Sequence, residues 1–177
     1  MPYLYLLIAG LSASLAHFYL VWRHRDNRRY SVSEHAMLTP QSHLIYIVAH
    51  VVCEVFFLLF SYQVFLVVHH LTVAWWLNVA FAALDFVQAL LPSRGKTEKL
   101  HFAAAYISWC CYLAAGIYAL FALPVAGPYF ALALAVLAPI LGMYAYMHVN
   151  RSKLYPYQLA IVPLFVVFLL LVTAGAR

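Results

Sequence analysis

Apolar residues fill six long blocks of this chain, separated by short polar connectors. The blocks cover residues 3–22, 43–68, 71–91, 100–123, 129–149 and 157–174. Each is close to the ~20 residues that an α-helix needs to cross a hydrocarbon core of about 30 Å. The pattern predicts an all-α, integral membrane six-helix bundle, forming a single transmembrane domain over residues 1–177. The second block is the longest, so tilt or an extension past the interface is expected. Between the second and third blocks no Gly or Pro intervenes, only His69, His70 and Thr72. A tight turn is expected there, because one unbroken helix over 43–91 would be more than twice the membrane thickness. Pro139 and Pro163 fall inside the last two blocks and predict kinks.

Composition excludes a soluble core. The chain is 67% hydrophobic and only 8% charged, with a mean hydropathy of +0.90, where a soluble domain has about a quarter of its residues charged. The sequence pI of 9.2 does not imply nucleic acid, since the bases sit in short connectors suited to anionic headgroups. Arg23, Arg25, Arg28 and Arg29 follow the first block, Arg94, Lys96 and Lys99 the third, and Arg151 and Lys153 the fifth. Only Arg177 falls on the other side. The positive-inside rule then predicts both termini outside and the connectors 23–42, 92–99 and 150–156 in the cytoplasm. The arginines of the first connector act as topology determinants that also touch anionic lipid, and Arg23, Arg25, Arg28 and Arg29 are the candidates for a headgroup contact. A cleavable signal is the competing reading of the first block, which contains Ser12, Ala13, Ser14 and Ala16. No positive residue precedes it and an arginine cluster follows, so a retained span is expected. Cys53, Cys110 and Cys111 lie inside blocks without a Cys-x-x-Cys spacing and are read as packing residues.

Against this background Glu54 stands out. It lies in the apolar run 44–68, which has no other charge, and a carboxylate at that depth costs several kcal/mol unless paired, protonated or wet. His43, His50, Glu54 and Ser61 recur at helical spacing and share one face. Asn78, Asp85 and Gln88 form a similar stripe on the third span, His101, Ser108 and Tyr112 on the fourth, and Ser14 with His17 on the first. Counting about 1.5 Å per residue from the basic connectors puts His43, His101 and His148 near the interface. The same count puts His17, His50 and Asp85 deeper and Glu54 near the midplane, with only His69 and His70 on the far side. A polar pocket in the cytoplasmic half is expected, with His43, His50, Glu54, Asp85 and His101 as its candidate catalytic or binding residues. For Asn78, Gln88 and Ser108, interhelical packing is the expected role.

Three chemistries fit. A divalent metal such as zinc would take His17, His50 and Asp85 as ligands, with Glu54 as general base. A b-type haem would take His17 and His50 as axial ligands. Metal-free acid–base or polar binding would use a carboxyl–histidine pair sharing a proton. The cofactor stays open at this point, neither zinc nor haem being favoured above none, and so does the question of whether the chain is an enzyme.

The first connector reads Tyr30-Ser31-Val32-Ser33-Glu34-His35-Ala36, the third span closes on Leu90-Leu91-Pro92, and the fourth opens Leu100-His101-Phe102-Ala103-Ala104-Ala105. Over about residues 17–120 the chain resembles a bacterial family of six-helix membrane proteins of unknown function, grouped with the Frag and DRAM membrane proteins. In that family a Ser-Glu precedes the second helix, a proline closes the third, and a histidine before small residues opens the fourth. Here these are Ser33, Glu34, Pro92 and His101; the third span ends in Leu-Pro where the family has an aromatic-Pro. The resemblance implies a bacterial plasma membrane location and a lipid-facing role. Ser33-Glu34 is also expected to cap a helix before the second span. The function expected is binding or modification of a lipid or lipid-linked molecule. A non-enzymatic assembly or accessory subunit is the rival, followed by a metal-dependent intramembrane hydrolase, a b-haem protein and a small transporter. Membrane lipid is the expected partner, with a membrane protein or a second copy of the chain as further partners and no nucleic acid.

Overall fold

A computed structural model describes residues 1–25, 31–150 and 154–176. Among the described residues the helices are α1 (Pro2–Arg23), α2 (Val32–Ala36), α3 (Pro40–Ser61), α4 (Thr72–Leu90), α5 (Glu98–Ala122), α6 (Gly127–Val149) and α7 (Tyr155–Gly175). All but the short α2 belong to six segments long and apolar enough to cross a membrane, which makes this an integral membrane helical bundle. The second block, expected from 43, begins at Pro40, and the fourth, expected from 100, at Gly95 when its leading 3-10 turn is included. Proline sits in the first turn of α1, α3, α6 and α7, where its missing N–H would have had no partner in any case. Thr39 caps α3, its Oγ1 accepting from the Ser42 amide at 3.1 Å.

The reversal between the second and third spans is made without glycine or proline. α3 widens into a π-helical stretch, Tyr62–Val68, and His70 then adopts a left-handed backbone with φ 55°. The Leu71 amide reaches back to the Phe65 carbonyl at 2.6 Å, so donors freed by the reversal stay bonded.

α1 and α3 turn most of their polar and small residues inward and many of their aliphatic ones outward, whereas α7 buries Ile161, Phe165, Phe168, Leu169 and Val172. On α3 the buried face carries Tyr46, His50, Glu54, Phe57 and Ser61, while Leu44, Val48, Val51, Val55 and Leu59 are exposed. α1 presents Leu4, Leu7, Leu11, Leu15, Phe18 and Trp22 outward, and buries Ala9, Ala13 and His17. Lipid is as apolar as leucine, so helix association in the membrane depends on close packing and on polar contacts.

α1 packs on α3 and α7, α4 lies between α3 and α5, and α7 completes the ring against α5 while carrying α6 on its outer side. α5 and α7 approach closely at Gly116, where an added Cβ would lie 2.7 Å from Phe168 Cε1 and 3.1 Å from Phe165 Cζ. Around that point Phe57, Phe81, Tyr112 and Phe165 interlock, with Tyr112 stacked between Phe81 (centroids 4.3 Å) and Phe165 (3.8 Å). This aromatic plug fills the half of the bundle that holds the α3–α4 turn. In the other half α2 lies across the helix ends: the Val32 amide donates to Gln158 Oε1 at 2.8 Å, and His35 meets Tyr155 edge-on.

The plug predicts a contrast between two glycines. Gly116→Val should lower the thermal midpoint of the purified protein in detergent by an amount corresponding to about 1–3 kcal/mol, because both phenyl rings are buried and have nowhere to move. Gly142→Val, where an added Cβ meets nothing within 4 Å, should change it by less than about 0.5 kcal/mol.

Candidate functional site

α3 and α4 run antiparallel, and their inward stripes meet in a ladder of side-chain contacts. From one end, His43 Nε2 donates to the Ala89 carbonyl at 3.1 Å, and Gln88 Nε2 donates to Tyr46 Oη at 3.2 Å. His50 Nδ1 then contacts Asp85 Oδ2, and Asn78 Nδ2 donates to Ser61 Oγ at 2.8 Å. Helical spacing on two antiparallel helices produces this register, with a rung at each turn from His43 to His50 and the next only at Ser61, three turns on.

His50 is the hub. Its Nδ1 faces Asp85, while its Nε2 stands 3.4 Å from Nε2 of His17 on α1. Tyr46, one turn before His50, wedges its ring against both imidazoles, with centroids 4.2 Å from His50 and 5.9 Å from His17. Asp85 is satisfied on both oxygens, since Gln88 Nε2 donates to Oδ1 at 3.0 Å. Glu54 is not. It is 6% exposed, and neither carboxyl oxygen has a hydrogen-bond partner in the protein. His50, Glu54 and Asp85 each offer a donor atom within 4.8 Å of the other two. His17 joins the group through His50, and its own Nδ1 is buried without a partner.

Of the remaining sequence candidates, His101 lines the same cavity as the cluster, and His43 is not among its lining residues. His43 is half-buried at the start of α3 and is used in the rung to Ala89. His101 is 1% exposed and acts as a clamp: Nδ1–H is shared between the Gln88 and Leu91 carbonyls at 2.9 Å each, which leaves Nε2 to accept from Ser33 Oγ at 3.2 Å. It thus satisfies the end of α4 and fastens α2 to α5. The helix before the second span is α2, but its cap is Ser31, not Ser33. The Ser31 amide donates to Glu34 Oε2 at 2.9 Å and the Glu34 amide to Ser31 Oγ at 3.3 Å, a reciprocal capping box. The register is set by Glu34, which can reach back only to the residue three before it. Glu34 also lies 3.7 Å from Arg94, and the Pro92 carbonyl accepts from Thr97 Oγ1 at 3.0 Å. Of the arginines expected at headgroups, Arg23 donates to Tyr19 Oη and Gln41 Oε1, and Arg25 is exposed. Arg28 and Arg29 lie outside the described residues, as does the side chain of His148.

A cavity of about 740 Å³ joins these groups. Its mouth, near α2, is lined by Glu34, Glu98 and Lys99; its middle by His17, His50, Glu54, Asp85 and Gln88; and its floor by Leu6, Phe57, Phe81, Tyr112 and Val166. It occupies the space between α5 and α7 on the α2 side of the Gly116 contact. Ala103 and Tyr106 of α5 line it and are exposed on the outer surface of the bundle, beside Tyr144 and Met147 of α6.

The cluster has two carboxyl groups and two imidazoles, and no buried Lys or Arg among the described residues. Such a set can hold a proton between its members or bind a cation. It does not suit a haem. Axial histidines stand on opposite faces of a porphyrin, whereas His17 and His50 touch each other across the directly packed α1 and α3, with no slot between them.

Fold and site together define an all-α integral membrane bundle with an ionisable cluster buried inside its ring. Compared with family models, with curated proteins and with solved structures, the chain matches none.

Sequence reading missed Tyr46 and Gln158. Tyr46 carried a signal, lying one turn before His50 on the same face; Gln158 lies on a helix with no other polar partner in phase, and its contact to Val32 crosses 126 residues.

The clamp assigned to His101 separates it from the cluster in experiment. His101→Ala should lower stability by about 2–3 kcal/mol, since it orphans buried polar groups and leaves a void, while Ser33→Ala, removing one bond, should cost about 1 kcal/mol. Chemical unfolding in mixed micelles measures both; equal, negligible losses would show that His101 is not a clamp.

Proposed function

We propose that the chain binds or modifies a lipid or lipid-linked molecule in the cavity within its helical ring. The observation that carries this reading is the cavity's polarity along its length. Charged residues stand at the mouth, an ionisable cluster in the middle, and aliphatic and aromatic side chains at the floor. A volume of about 740 Å³ is of the size that small-ligand sites use. The sequence of surfaces matches a molecule with a polar head and a hydrocarbon portion. Exposed Ala103 and Tyr106 on the cavity wall favour a lateral path from the bilayer.

In this reading Asp85 orients His50, as a carboxylate orients an imidazole in many acid–base pairs. Glu54, with both oxygens free, supplies the group that meets the ligand's polar atoms. The α2 end is cytoplasmic by the distribution of Arg23, Arg25, Arg94, Lys96 and Lys99, with no described Lys or Arg at the opposite end. The arginines there attract anionic headgroups at about 1 kcal/mol each. The family resemblance, with its Ser33, Glu34, Pro92 and His101, supports the same lipid-facing role.

Three measurements test this. Mass spectrometry of extracts from detergent-purified protein should find a co-purifying lipid, and a photoactivatable acyl probe should label the cavity wall. Ala105→Phe, which fills the cavity from α5, should reduce both several-fold; labelling indifferent to the filled cavity sinks the proposal. In a deletion strain, Glu54→Gln and Asp85→Asn should fail to complement while expressing normally. For sidedness, on a background without native cysteines, Lys96→Cys should react with an impermeant maleimide only after the cytoplasmic face is opened, and His70→Cys in intact cells. The reverse pattern would invert the assigned orientation.

A further inference from the structure

We propose that His50, Glu54 and Asp85 bind one divalent transition-metal ion of the zinc class, with His17 holding His50 in place. Three independent features of the cluster lead here.

The first is donor geometry. One nitrogen and two carboxyl oxygens, all buried, lie within 4.8 Å of one another on two facing helices. Bonds of about 2.0–2.2 Å around a tetrahedral zinc place its ligand atoms about 3.4 Å apart. The ion would replace the proton shared by His50 Nδ1 and Asp85 Oδ2, with the His50 and Asp85 side chains rotating apart by about 1 Å to admit it and Glu54 turning inward to complete the set. A nitrogen with two carboxylates suits zinc, manganese or iron rather than calcium or magnesium, which take oxygen donors.

The second is charge. Two carboxyl groups face each other in the bundle with no buried Lys or Arg among the described residues. A divalent ion neutralises both while leaving the imidazoles neutral. The unpartnered Glu54 oxygens then acquire the partner that a buried carboxylate requires.

The third is the support around His50. A ligating histidine commonly donates its second ring N–H to a fixed acceptor. His50 bound through Nδ1 presents Nε2–H to His17 Nε2 at 3.4 Å, and the Tyr46 ring fixes the orientation of both. In that arrangement the proton of His17 is on Nδ1, which has no protein partner and is free to donate to a ligand oxygen. His17 is then a positioning residue. The expected ligand trio of His17, His50 and Asp85 thereby changes membership: Glu54 becomes a ligand and His17 supports from behind. The fourth coordination position faces the cavity and accepts a water or a carbonyl or phosphoryl oxygen; the lipid nature of that last ligand rests on the function proposed above.

The test uses the full chain, purified in detergent, stripped of metal and titrated with Co2+ as an optical probe. The expected result is one Co2+ per chain with visible absorption bands, displacement by Zn2+, and a higher thermal midpoint when loaded. Glu54→Gln and His50→Asn should weaken binding by more than about 100-fold, and His17→Asn by about 10–100-fold, the range for an outer partner of a ligand. The wild-type titration does not depend on any variant folding. Absence of a spectrum and of a midpoint shift in wild type overturns the site, and so does unchanged affinity in Glu54→Gln and His50→Asn. Lipid retention measured on the same stripped and loaded samples separates the two proposals. Lipid without an ion overturns the metal site alone, and an ion without lipid overturns the cavity reading alone.

Discussion

Everything in this bundle answers to one constraint: inside a bilayer, a polar group that finds no partner in the protein finds none at all. α3 concentrates the consequences. Its inward face carries five polar or ionisable groups, Ser42, Tyr46, His50, Glu54 and Ser61, and the contacts of Tyr46, His50 and Ser61 fix neighbouring helices. Ser61 and Tyr46 set the register of α4, and His50 ties α4 to α1 through Asp85 and His17. Aliphatic side chains cannot do this in lipid, since leaving one helix for another gains a leucine little. Packing then fits around the polar register, with Phe57, Phe81, Tyr112 and Phe165 filling the space beyond it.

The two halves of the bundle meet that constraint differently. Beyond Glu54 the interior is closed by stacked rings and by Gly116, where α5 and α7 nearly touch. On the other side α5 and α7 are held apart, and the gap is bridged by α2 rather than by side-chain packing between them. That bridge is polar and well anchored: the capping box of Ser31 and Glu34, the Gln158 bond to Val32, and the His101 clamp to Ser33. A short helix braced in this way holds the cavity open without placing bulk inside it. Preformed concave space next to buried ionisable groups is the arrangement from which binding sites are made.

The sequence displayed the spans because block length and hydropathy are properties of a single segment. It displayed the stripe His43, His50, Glu54 and Ser61 for the same reason, since helical phase is local. What it did not display was which stripes would meet. The pairing of His50 with Asp85, and of His101 with the carbonyls of Gln88 and Leu91, depends on helix order and rotation around the ring. His50 and His101 were alike in type and differ in use because one faces a carboxylate in the cavity and the other the end of a helix. The cap of α2 illustrates a finer limit. Ser31 and Ser33 are both good capping residues, and the reach of the Glu34 side chain decides between them. The turn at His70 was expected from length alone, but not its form, since a π-helical widening has no composition that marks it.

Among the buried polar groups of α3 and α4, Ser61, Asn78, Asp85 and Gln88 all have protein partners suited to packing. Glu54 has the greatest need for one and has none. Glutamine or leucine at that position would satisfy the fold at lower cost, because neither carries a charge to desolvate. Its carboxyl lies beside a second carboxyl and an imidazole, on the wall of the cavity, at the level where polar lining gives way to apolar. A group so placed contributes nothing to the register of the helices. A proton shared with Asp85, an ion, or the polar head of a ligand would each meet that need, and the cavity wall is where the last two would reach it.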